Sequence, residues 1–163
     1  MLRSAGFGLA AIKKILVVIR HPLSLEYSFY LHLQKPEVRE RRKNNPDLLR
    51  LADGGFSNFI RHAGYHREGM PQEAFFLVDG EYPESLELIR FENLETDFPK
   101  AVRPFVRIDV NANFPHLNAS NPQKPLHEII DSEVLELVYK KHRFMFDSGL
   151  YDINQTPSDM FRS

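Results

Sequence analysis

Cysteine is absent from the 163-residue chain. That excludes a disulfide framework, a thiolate metal site and a thiol nucleophile, and it fits a reducing compartment, so the cytoplasm is the expected location. An excess of one charge is missing as well. Lys plus Arg (21) and Asp plus Glu (22) leave a net charge of -1, so nothing draws the whole chain to nucleic acid or an acidic membrane, and neither is an expected partner. Long apolar runs are lacking too. The best one, Leu9 to Ile19, is cut by Lys13 and Lys14 and falls short of the roughly 20 residues that span a bilayer. Arg3 ahead of Ala5 to Ile12 faintly echoes a leader, but no small-residue cleavage site follows, and export is not expected. The phosphate-loop pattern G-x-x-x-x-G-K-[ST], the dinucleotide pattern G-x-G-x-x-G and the nucleophile elbow G-x-S-x-G do not occur. Nor does any internal repeat or low-complexity tract.

What remains is an ordinary globular balance, 42% hydrophobic and 26% charged, enough for one domain over residues 1–152 with a tail at 153–163. Ile15 to Ile19 is a short β-branched apolar run, the pattern of a strand buried on both faces of a parallel sheet. It ends at Arg20-His21-Pro22, and Pro22 suits the first position of a helix. Leu23, Tyr27, Tyr30 and Leu31 continue at helical spacing. Residues 35–54 read as a short charged helix and a loop. Ser57 is placed to cap a helix over 58–63 that Gly64 ends. Ala74 to Val78 is open between strand and helix, and Asp79-Gly80 is a turn.

Leu86 to Phe91 reads as a second strand and Leu94 to Phe105 as a helix, with Pro99 in its first turn or kinking it. Val106 to Val110 is short and β-like, and Asn111 to Lys124 is a long polar loop. Ser132 to Phe146 is the strongest helical pattern and stops at Gly149. These units make an α/β domain with a thin parallel sheet flanked by helices.

Few constellations carry chemistry. A strand end leading into a helix offers N–H groups and a positive dipole end to phosphate, with Arg20 as a bidentate clamp and Ser28 as a hydroxyl; the plain alternative is a solvated Arg20 and a packing Ser28. His62 and His66 have metal-ligand spacing, but Gly64 between them favours two surface histidines, and no metal is expected. The basic run Arg39 to Lys43 reads as a solvated face rather than a phosphate contact.

Around that corner the residues resemble a known family. Leu16 to Pro22 with Ser28-Phe29-Tyr30 resembles the 3′-phosphate segment of sulfotransferases: an apolar strand, Arg-x-Pro, and a Ser eight residues after the Arg. Ile89 to Phe98, Phe114 to Ser120, and Ile130 to Tyr151 are similar to later family segments in the same order, with Met70-Pro71-Gln72 a weaker match. The resemblance implies a partial P-loop-like fold and transfer of a sulfuryl group from 3′-phosphoadenylyl sulfate (PAPS), as co-substrate, to a hydroxyl or amine of a small-molecule or glycan acceptor. It places Arg20 and Ser28 on the 3′-phosphate, Phe91 near the adenine and Lys124 over the phosphate, and it assigns no catalytic residue. His21 and Leu25 depart from the family pattern.

The family's 5′-phosphosulfate loop belongs before a strand like Ile15 to Ile19, and only fourteen residues precede Ile15 here. A truncated or partial member is therefore expected, completed by an upstream segment or paired as a homodimer through an exposed sheet edge. The alternative is a non-catalytic remnant that binds an adenine nucleotide or a glycan, or a protein-interaction module.

Overall fold

The computed structural model describes residues 13–64, 70–106 and 129–155. Over these the chain is mixed α/β, with seven helices and a two-stranded parallel sheet. They fall into two compact units, one containing residues 13–20 and 73–106, the other 21–64, 70–72 and 129–155.

The first unit is built on β1 (Ile15–Ile19) and β2 (Leu86–Arg90), paired in parallel with Ile15 opposite Leu86 and Ile19 opposite Arg90. Both strands lie where the β-branched and alternating patterns predict them. The expectation that β1 is buried on both faces is not met: Ile19 is buried, but Val18 is 47% exposed. An all-apolar strand can be sandwiched only when layers cover both faces of its sheet. Lys14 bridges to Glu87 at 2.6 Å, and the Ile15 N–H donates to the Ser85 carbonyl at 2.8 Å.

Before β2, Val78 and Glu81 close a small hairpin around Asp79 and Gly80, at φ 55° and 83°. Asp-Gly tolerates two successive left-handed residues better than almost any other pair, so this turn was legible in the sequence. A single 3₁₀ turn, Gln72–Phe75, precedes it. After β2 a 3₁₀ turn, Phe91–Asn93, leads into α5 (Leu94–Val102). This helix ends three residues before Phe105 and keeps Pro99 inside it, where the missing N–H removes one rung of the ladder.

The second unit is helical. Helix α1 (Pro22–Gln34) begins on Pro22, as the sequence predicts. The segment expected to hold one helix and a loop forms two, α2 (Pro36–Arg41) and α3 (Pro46–Asp53). The second exists because the Asn45 side chain accepts from the Leu48 N–H and Pro46 fits the first turn. Helix α4 spans Gly55–His62, so Ser57 lies inside its first turn and does not cap it. The reversal between α3 and α4 uses Gly55 at φ 86°, and a Cβ on Gly54 would crowd the Asn58 side-chain amide.

The stretch expected to be one helix from Ser132 to Phe146 is broken at His142 into α6 (Ser132–Lys141) and α7 (Arg143–Asp147). Asp131 caps α6 by accepting the Val134 N–H at 2.8 Å. Leu23, Tyr27, Phe29 and Leu33 of α1 join Val38, Ala52, Phe56, Phe59, Ile60, Val134 and Val138 in one buried apolar cluster. Its aromatic members meet edge to face, Tyr27 on Phe56 at 5.2 Å and Phe29 on Phe59 at 5.5 Å, the arrangement that ring quadrupoles favour.

Candidate functional site

Parallel pairing decides where the first unit's functional residues stand. Because Ile19 is opposite Arg90, the next residues, Arg20 and Phe91, leave the two strands side by side at their carboxyl ends. The Arg20 guanidinium lies over the Phe91 ring, 4.5 Å from its centroid. Arg20 is half-buried, whereas Phe91 is 44% exposed although large and apolar. A guanidinium stacked on a ring is attracted by the ring quadrupole. An exposed ring beside it offers a flat surface to another flat group. The corner thus sets one guanidinium beside one exposed ring, at the end of the sheet where α/β folds gather their ligands.

Of the four residues singled out from the sequence, the structure therefore brings Arg20 and Phe91 together in the first unit. Ser28 belongs to the second unit, half-buried on α1. Lys124 lies outside the described residues, as do His66, His116 and the whole polar loop from Asn111 to Lys124. Among the described residues no group of three metal-ligating side chains occurs, and no helix is long and apolar enough to cross a membrane. The basic run on α2 is partly matched: Arg39 pairs with Asp53 at 2.9 Å and Lys43 with Glu40 at 2.6 Å. Burial, and then the nearby charges of Lys35, Arg42 and Arg41, hold the His32 imidazole below its ordinary range.

The second unit holds a polar centre that the sequence reading missed. Glu26 of α1 is fully buried. Its Oε1 takes His142 Nε2 at 2.6 Å and Lys141 Nζ at 2.9 Å. Lys141 also donates to the Ala63 and Gly64 carbonyls, at 3.2 and 3.0 Å, closing the end of α4. Burial alone would push the Glu26 carboxyl up; the His142 hydrogen bond and the Lys141 and His142 charges outweigh it and leave the group below its usual value. Glu26 Oε2 is buried without a hydrogen-bond partner among the described residues.

One carboxylate thus ties α1 to the α6–α7 break and, through Lys141, to the end of α4. One signal was available: Glu26 falls on the helical stripe of Leu23, Tyr27, Tyr30 and Leu33, where a charge is out of place unless something meets it. His142 and Lys141, more than a hundred residues away, gave no such sign.

No protein-family model, curated protein or solved structure matches the chain.

Proposed function

We propose that the chain is a sulfotransferase-type protein, and that Arg20 and Phe91 form the adenosine 3′-phosphate end of a PAPS site on a P-loop-like sheet. The observation that supports this most is the stacked Arg20–Phe91 pair at the carboxyl ends of two parallel strands. Nucleotide recognition needs a phosphate fork beside a base-stacking face, and these two residues supply one of each. Ser28 and Lys124 enter the proposal through the sulfotransferase resemblance alone.

The division of labour follows from the chemistry. The bound co-substrate supplies the sulfuryl group, which passes to an acceptor oxygen or nitrogen as that atom loses its proton, and adenosine 3′,5′-bisphosphate departs. Arg20 and Phe91 grip the end of the nucleotide remote from that transfer. Their role is binding and orientation, and their loss should weaken nucleotide affinity rather than alter a proton transfer.

The test is a thermal-shift titration with adenosine 3′,5′-bisphosphate beside 5′-AMP. A ligand held only by the folded chain adds about 2.7 kcal/mol at a hundred times its Kd. The bisphosphate should raise Tm while 5′-AMP does not. Arg20→Ala should abolish the rise and Arg20→Lys should restore it only in part, because an ammonium keeps the charge but loses the fork. No rise in the wild-type chain would end the proposal. A rise without transfer, when PAPS is supplied with alcohol and amine acceptors, would instead establish a non-catalytic nucleotide-binding protein.

A further inference from the structure

The C-terminal part of the second unit contains an open cleft of about 340 Å³ that the nucleotide proposal does not use. Its walls are Tyr139 from α6, Phe146 and Asp147 from α7, and Tyr151, Asp152 and Ile153 from the turn that follows. The volume is at the lower end of small-ligand sites, and the composition is of the expected kind, apolar with few polar groups. The polar groups are of one sign: the described lining carries two carboxylates and no basic side chain.

The aromatic wall is organised. Tyr139 and Phe146 lie 5.8 Å apart at 30°. The buried His21 ring packs edgewise against both Phe146, at 5.9 Å, and Tyr151, at 5.2 Å, linking the rings into one surface. The Tyr139 hydroxyl donates to Asp147 Oδ1 at 2.6 Å. That bond to a carboxylate holds the phenol above its ordinary range and makes the ring a richer π-donor. Arg143 meets Asp147 from its other oxygen, Oδ2, at 2.8 Å, so the Asp147 charge is largely matched. Asp152 is different: it is exposed and enters no ion pair among the described residues, and its Oδ1 accepts only from the Asn154 backbone and amide.

We propose that this cleft binds a small organic ammonium ion, with a quaternary trimethylammonium head as the class it fits best. The half-buried Tyr139 and Phe146, with the edge of the nearly buried Tyr151, give the cleft an aromatic lining that attracts a cation, and Asp152 supplies negative charge at the rim. A quaternary head has no N–H to satisfy and sheds water more readily than a primary ammonium, so a wall of rings suits it better than a second carboxylate would. The inference is independent of the nucleotide site, since every residue it uses lies in the second unit.

The test follows the ring signals of Tyr139, Phe146 and Tyr151 by NMR in the full chain. Choline chloride is titrated against its neutral carbon isostere, 3,3-dimethylbutan-1-ol, with sodium chloride holding ionic strength constant. The expected result is a saturable shift with the ammonium, absent with the alcohol. Tyr139→Leu should weaken binding about tenfold, the scale of one cation–ring contact, and Asp152→Asn should weaken it severalfold. Asp152 is exposed, so that second variant remains informative where Tyr139→Leu does not fold. Equal shifts with the alcohol, no saturable shift in the wild-type chain, or binding unaffected by either substitution would each overturn the proposal.

Discussion

The two units use a similar apolar alphabet to opposite effect. In the helical unit, Leu33, Phe59, Val134 and Val138 are removed from water entirely, and even a charged residue, Glu26, is buried. In the strand unit, Val18, Phe75, Tyr82, Phe91, Phe105 and Val106 all stay substantially exposed. A helix bundle buries a face of each helix as soon as two neighbours pack, because the apolar stripe recurs every turn. Among the described residues, the two-stranded sheet has two faces and one helix, α5, beside it, and two strands alone are marginal in water. What the strand unit leaves open, at Phe91 above all, is also where its best ligand corner stands.

That contrast can be broken at its strongest point by Phe59→Ala. Phe59 is central to the helical cluster, and losing its ring should cost about 4 kcal/mol in chemical denaturation. Val18→Ala, on the strand that should have been buried, is expected to change stability by under about 0.5 kcal/mol. A Val18 effect rivalling that of Phe59 would show that the strand unit carries a hidden core.

Next in size is Glu26→Gln. It leaves His142 and Lys141 without their shared carboxylate and should cost about 3 kcal/mol at neutral pH. The cost should depend on pH in a set direction. The Glu26 carboxyl lies below its ordinary value of 4.5 in the folded chain. Its contribution is therefore fully present above that value and is lost as pH falls through the folded pKa. The gap between wild type and Glu26→Gln should shrink as denaturation curves are taken below about pH 4.5. A gap that widens in acid would mean that burial, not the Lys141 and His142 partners, dominates at Glu26.

A smaller loss than at Glu26 is expected at the start of α6. Asp131→Ala removes the acceptor for the Val134 N–H and should cost about 1 kcal/mol, with Asp131→Asn recovering most of it. Recovery by Asn would identify the cap hydrogen bond, rather than charge against the helix dipole, as the source.

Legibility in the sequence followed the range of the interaction. Strands β1 and β2, the start of α1 on Pro22, the Asp79-Gly80 turn and the apolar side of α6 were all readable, because each depends on residues a few positions apart. The division of residues 35–54 into α2 and α3 was also local, and the Asn45-Pro46 pair was its unread signal. The break at His142 was not local: residues 132–146 have one continuous helical pattern, and the Glu26 carboxylate that meets His142 comes from α1. Arg20 and Phe91 were each singled out from the sequence, yet their contact depends on the register that sets Ile19 against Arg90.

The sequence by itself determined the α/β class, the positions of the two strands, and the absence of disulfides and thiol chemistry, because composition and short-range periodicity suffice for these. The tertiary structure decided which apolar residues stay in water, which cations share the buried Glu26 carboxylate, and which rings gather around the cleft at Tyr139 and Tyr151. Those outcomes depend on pairs of residues far apart in the chain, and proximity of that kind is settled only when helices and strands pack.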